Sequence, residues 1–180
     1  MKIVCWCIGL LSSFTSYAEV WHDVVACDIQ FSIVNAGIHV EGKFNDVSTQ
    51  IQFDSQQLAS SFFSGKANVN SIQTGMTLRD RHLKEKSEFF DERRYPEIYL
   101  RSTHILPTTA QGRFSVDWML QLKGQENSLH SEVQTYQVGL FGYAITTFTL
   151  QRHEWQLGGQ STSMADKVTI SVKTLFSVSS

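Results

Sequence analysis

The feature that most limits what this chain can fold into is a period of two in its apolar residues. Phe114, Val116, Trp118, Leu120 and Leu122 are all apolar, and Ser115, Asp117 and Gln121 lie between them, with Met119 the one break. Successive side chains of a strand point to opposite faces, so such a run has one dry face and one wet face. The pattern recurs. Cys27, Ile29, Phe31 and Ile33 alternate with Asp28, Gln30 and Ser32, and Asn35-Ala36-Gly37 follows as a turn signal. Ile51 and Phe53 alternate with Gln50, Gln52 and Asp54, and Ala67 and Val69 with Lys66, Asn68 and Asn70. Val168, Ile170, Val172 and Phe176 alternate with Lys167, Thr169, Ser171 and Lys173. An open sheet of such strands would leave its edges and its apolar face in water. The chain is therefore expected to be all-β, a closed barrel or a sandwich. A barrel of about eight strands has an interior that is either filled by side chains or holds one small ligand. Periodicity alone does not choose between the two.

One stretch, Ser71 to Ser102, breaks the pattern. From Arg79 to Arg94, twelve of sixteen residues are Asp, Glu, Lys, Arg or His, with the signs interleaved. Thr77 followed by Asp80 reads as a variant capping box that starts a short helix. Met76, Leu83 and Phe90 recur at sevens and fit one helical face. Pro96 stops any helix, and Ile98 and Leu100 resume strand spacing. The expectation is a helical excursion around residues 75–92, inserted between two strands.

The first 18 residues read as a signal peptide. Lys2 supplies the positive charge, Ile3 to Leu11 the apolar run, and Ser16-Tyr17-Ala18 the cleavage site. Nine apolar residues are too few to span a bilayer. The expected mature chain, residues 19–180, is then a single exported domain of 162 residues, periplasmic, with a core large enough to fold on. It carries 14 Lys and Arg against 17 Asp and Glu, which argues against nucleic acid as a partner. No later apolar run reaches transmembrane length. Cys27 is the one cysteine beyond the leader, so stability has to come from packing, and Cys27 itself reads as a small buried apolar residue.

Signatures of chemistry are absent from the sequence. It has no P-loop, no GxSxG elbow, no HExxH and no CxxC, and its six histidines show no metal-ligand spacing. No metal, no cofactor and no catalytic residue is expected. Arg79, Asp80 and His82 allow two readings. They sit at a cavity mouth and bind a headgroup, or Asp80 pairs with Arg79 or Arg152 and pins the excursion to the barrel; the second is preferred.

Ser71-Ile72, Thr74, Arg79-Asp80, His82-Leu83, Phe89-Phe90-Asp91, Tyr95-Pro96 and Ser102, in that order and spacing, resemble the YceI-like family of bacterial secreted lipid-binding proteins. Lys123-Gly124, Phe148-Thr149-Leu150, Arg152, Trp155 and Gly158-Gly159 extend the likeness over most of residues 27–176. The chain departs from it in two places. Asn35-Ala36-Gly37 stands where many relatives have His-x-Gly, and Gln156 where a glycine is common. The resemblance implies an eight-stranded antiparallel, lipocalin-like β-barrel with a long apolar cavity for a polyisoprenoid or similar long-chain lipid. It implies a binding protein rather than an enzyme, and points to a homodimer. The wall of that cavity is expected to be Phe31, Ile33, Phe53, Phe89, Phe90, Ile98, Leu100, Phe114, Val116, Trp118, Leu120, Phe148, Trp155 and Ile170, with Arg79, Asp80, His82 and Arg152 as polar groups at the mouth. Two other readings stay open: an enzyme acting on an isoprenoid or quinone lipid through Asp80 and His82, and a ligand-free interaction module with a solid core that docks through residues 79–94.

Overall fold

The computed structural model describes residues 21–178, so the expected leader lies outside the described residues. The alternating runs form eleven antiparallel strands: β1 (Trp21–His22), β2 (Val24–Asn35), β3 (Ile38–Phe44), β4 (Val47–Gln52), β5 (Phe62–Asn68), β6 (Ile72–Gln73), β7 (Glu97–Pro107), β8 (Arg113–Leu122), β9 (Gln125–Val138), β10 (Phe141–Gln151) and β11 (Met164–Ser177). The polar excursion holds one helix, α1 (Thr77–Glu85), between β6 and β7.

Eleven strands reduce to eight runs. β1 and β2 are one strand interrupted at Asp23, because β1 pairs with β4 while β2 pairs with β3. β3 and β4 are likewise one strand bent at Asn45-Asp46, and β5 and β6 one strand bent at a 3-10 turn, Val69–Ser71. β4 pairs with β5 and β3 with β6, so these bent strands stay side by side along their length. The remaining neighbours are β5–β7, β7–β8, β8–β9, β9–β10, β10–β11 and β11–β2. The ring of pairings is closed, every run beside its neighbour in sequence, as in an up-and-down barrel. The all-β barrel with one short helical excursion is the fold expected from the sequence. The strand count rises to eleven because three of its runs are bent.

Turn chemistry fixes the register at the hairpins. Ala36 and Gly37 have φ of 50° and 77°, and Lys123 and Gly124 have 50° and 73°. Both pairs have the left-handed backbone that two-residue hairpins need. At Gly124 a side chain is also excluded by space, since a Cβ would lie 2.7 Å from the Tyr95 ring.

The inside of the barrel is divided. At the end where β1 begins and β11 finishes, the interior is solid. Phe53 stacks on Phe63 at 5.3 Å and meets Phe114 edge-on at 5.0 Å, and His22 lies 4.8 Å from Phe176. Ile51, Ile105, Val116 and Val133 fill the space between them. Gly142 permits this plug, because a Cβ there would meet the Phe176 ring at 2.2 Å. Toward the end capped by α1, the interior is hollow.

Candidate ligand cavity

The hollow end encloses a cavity of about 420 Å³. The same alternation that makes the strands supplies its wall. From β2 come Phe31 and Ile33, from β7 Ile98 and Leu100, from β8 Trp118 and Leu120, from β10 Phe148, and from β11 Ile170. The excursion contributes Phe89 and Phe90, and the 3-10 turn after β10 (Arg152–Trp155) contributes Trp155. Phe90 packs edge-on to Phe44 at 6.2 Å, which ties the end of the excursion to β3.

Three residues expected in the wall are elsewhere. Phe53, Phe114 and Val116 belong to the plug and do not line the cavity. Phe114 and Val116 share the inward face of β8 with true wall residues, and Phe53 directly follows β4, but all three lie nearer the closed end, where facing rings meet across the barrel. Several wall residues were not singled out from the sequence, among them Val40 and Phe44 of β3. Ile38, Val40, Gly42 and Phe44 do alternate, but the pattern is interrupted by Gly42. That glycine is structural. Phe31 lies flat on it, and a Cβ at residue 42 would sit 2.2 Å from the tip of the ring.

The polar groups at the mouth are held by partners. Thr74 organises the entrance side. Its backbone N–H and its hydroxyl both donate to Asp80 Oδ1, at 2.8 and 2.5 Å. Arg79 donates from Nε to the Thr74 hydroxyl at 2.7 Å and from Nη2 to the Thr74 carbonyl at 2.6 Å. The expected Thr77–Asp80 capping box does not form. α1 is preceded by Met76 without a side-chain cap, and Asp80 turns back past the helix start to Thr74. Asp80 does not line the cavity and pairs with neither Arg79 nor Arg152. It ties the start of α1 back to Thr74 instead, so the expected pairing with Arg79 or Arg152 does not form. Arg79 and His82 line the cavity beside Met76, Leu78 and Leu83.

Arg152 lines the cavity but is buried, 2% exposed. Its five N–H groups donate to five backbone carbonyls, those of Ala165, Leu157, Gly159, Ser161 and Met164, at 2.8–3.2 Å. The guanidinium thus organises the loop between β10 and β11, and has no donor left for a headgroup. Gln156, where relatives commonly have glycine, sits at φ 54° at the end of the preceding turn, a backbone that glycine adopts freely. Its carbonyl accepts from Lys123 Nζ at 2.6 Å. Burial pushes the Lys123 amine below its usual range, while Asp91 and Glu88 pull it back up.

A few polar side chains beside the cavity are paired among themselves. Trp118 Nε1 donates to Ser131 Oγ at 2.8 Å, Ser131 and Thr146 share a hydrogen bond of 2.8 Å, and Thr146 donates to the Glu132 carbonyl. Thr174 donates to Cys27 Sγ at 3.5 Å. Cys27 is inward-facing but half-buried, because it borders the cavity rather than the plug. The Thr49 hydroxyl and Trp155 Nε1 are buried without a partner. Among the described residues no group of three His, Cys, Asp or Glu could hold a metal ion. None of the described helices is long and apolar enough to cross a membrane.

A closed eight-run barrel with one solid end and one apolar hollow, capped by a charged helical excursion, defines a lipocalin-like class of small barrel. The chain belongs to the family of YceI-like domains, whose model matches residues 22–176. A UPF0312 protein of Yersinia enterocolitica is 32% identical over 78 residues, covering 43% of this chain and 40% of the relative. A UPF0312 protein of Vibrio parahaemolyticus is 25% identical over 107 residues, covering 59% and 56%. The chain thus spans about half, or less, of the length of the curated relatives it matches. Among solved structures, BcnA of Burkholderia cenocepacia superposes with a TM-score of 0.78 at 20% identity, over 83% of this chain and 95% of that one. A polyisoprenoid binding domain from Saccharophagus degradans superposes with a TM-score of 0.69 at 11% identity, over 88% and 98%. These superpositions establish the shared fold.

Proposed function

We propose that this protein binds a long apolar lipid chain inside the barrel and carries or sequesters it in the periplasm, after removal of residues 1–18. The cavity carries the reading. Its wall is almost wholly hydrocarbon, it opens past Met76 and Leu78, and its volume of about 420 Å³ lies within the usual range of ligand pockets. A polyisoprenoid, a quinone tail or a fatty-acyl chain fits that chemistry, and a structural neighbour is a polyisoprenoid binding domain. The driving force is burial. About fifteen carbons at ~0.8 kcal/mol each contribute roughly 12 kcal/mol. An association cost of at least ~4 kcal/mol leaves binding in the micromolar range. Arg79 and His82, both in the lining, are the side chains that would meet a headgroup at the mouth. The reading is of a binder rather than an enzyme. Asp80, the carboxylate an enzymatic mechanism would use, is hydrogen-bonded to Thr74 and is not among the residues of the lining.

The test is direct. Protein purified from its native compartment is extracted with organic solvent, and the extract is analysed by mass spectrometry. The delipidated protein is then titrated with prenyl and acyl lipids. One lipid per chain, or saturable uptake of added lipid, is the expected result. Neither of these, from folded protein, would remove the carrier role. N-terminal sequencing of the exported form tests the cleavage at Ala18.

A further inference from the structure

A carrier of a water-insoluble chain has to receive it from somewhere, and the mouth of this barrel is built unlike the rest of its surface. Met76 and Leu78 line the cavity and are also 55% and 53% exposed. They are continuous with the apolar interior on one side and with solvent on the other. Ile38 has the strand parity of Val40, so it belongs to the inward row of β3, but it stands at the hairpin tip and is 68% exposed. Met76 and Leu78 make an apolar lip on the cavity, and Ile38 adds an exposed apolar side chain outside the lining, at the β2–β3 hairpin tip of the same end.

The charge beside that lip has one sign in excess. Arg81 lies one helical turn from Leu78, and Lys84 one turn from Arg81. Arg81 is exposed, and the side chains of Arg81 and Lys84 have no ion-pair or hydrogen-bond partner among the described residues. Glu85 is the single exposed carboxylate on the helix, since Asp80 is turned in to Thr74. An apolar edge flanked by unpaired cations is the chemistry of a surface that rests in the headgroup layer of a bilayer.

We infer that the mouth of the barrel is a membrane-docking face: Ile38, Met76 and Leu78 enter the interfacial layer of a bilayer, Arg81 and Lys84 contact anionic headgroups, and the lipid chain passes between bilayer and cavity without crossing water. The inference rests on the carrier reading for what is passed, but the docking itself can be measured without it. The chain as a whole is net negative, so attraction to an anionic bilayer has to come from a local surface such as this one.

The experiment uses the mature chain and vesicles of phosphatidylcholine with or without phosphatidylglycerol. Co-flotation reports docking, and a fluorescent acyl probe reports transfer. Ile38→Asp and the double variant Arg81→Glu/Lys84→Glu lie outside the cavity lining, so probe affinity in vesicle-free solution is a separate control. Leu140→Asp, at the opposite end of the barrel where Leu140 is 71% exposed, controls for apolar exposure in general. The wild type is expected to float with anionic vesicles. The double variant is expected to lose about thirty-fold or more in vesicle affinity. Ile38→Asp should also weaken flotation, both variants should slow transfer with probe affinity unchanged, and Leu140→Asp should behave as wild type. If the wild type binds the probe but does not float, the docking face is overturned and the carrier role stands. If it floats with the expected variant pattern but takes up no lipid, the docking face stands and the carrier role falls. Loss of flotation in Leu140→Asp alone would assign membrane contact to the other end and overturn the inference.

Discussion

At the scale of single residues, the cavity and its frame depend on polar groups that are either fully satisfied or not satisfied at all. Arg152 is the first kind. Arg152→Met keeps much of the stem's packing but leaves five backbone carbonyls of the β10–β11 loop without their shared donor. The expected cost is about 3 kcal/mol or more, read as a lower urea midpoint. A loss within ~0.5 kcal/mol would show that the loop holds its shape without the guanidinium. Thr49 is the second kind. Its hydroxyl is buried and unpartnered on the inner face of β4. Thr49→Val removes the orphan at nearly constant volume in a strand, and should raise the unfolding free energy by about 1 kcal/mol. The sequence named Arg152 as a notable residue, but not its role. A mouth-facing cation and a buried loop organiser have the same letter, and only the five carbonyls around it separate them.

At the scale of elements, what could be read from the sequence was the strands whose inward rows are large and apolar. β8 and β11 are plain in the text. β9 is not. Its inward row includes Ser131, which serves the Trp118 indole, and its outer row is polar too, so no alternation shows. β3 was obscured in a different way, by Gly42. The absent side chain there is filled from the next strand by Phe31. This exchange leads to a prediction about the element pair. In Gly42→Ala the new methyl cannot share space with the ring, and since Phe31 lines the cavity the ring's way out is inward. Affinity for a long-chain probe should fall about tenfold, in line with the usual cost of overpacking. Phe31→Leu in the same chain should recover most of it. If Gly42→Ala binds the probe as well as the wild type, the ring does not control the volume of the cavity.

At the scale of the whole molecule, the sequence posed a choice between a filled and a hollow barrel, and the structure is one of each, end to end. Alternation records which face a residue is on, not how far along the axis it lies, so Phe114 and Leu120 were indistinguishable in the text. Height in the barrel is set by strand tilt and by what stands opposite: Phe53, just past the end of β4, meets rings from β5 and β8 in the plug, while at the other end aromatics such as Phe31 and Phe90 lie against the wall and the excursion. The division makes a prediction that neither a uniform core nor a uniform tube would make. A ligand that binds only the folded state stabilises it according to its free concentration, by about 2.7 kcal/mol at one hundred times Kd. For a chain of this size that is a rise in Tm of roughly 5–11 °C. The gain in amide-exchange protection should not be even along the strands. Amides beside the hollow, at Ile33, Leu120 and Ile170, open by local motions that a bound chain suppresses, and these should slow the most. Amides beside the plug, at Val116, Phe114 and Phe176, are expected to exchange through global unfolding, and should slow only as far as the global stability rises. Comparing exchange in delipidated and lipid-loaded protein checks both parts. A uniform slowing at all six positions would mean that the hollow end is as well ordered without its ligand as the plugged one, and that the cavity is a rigid receptacle rather than a space the lipid completes.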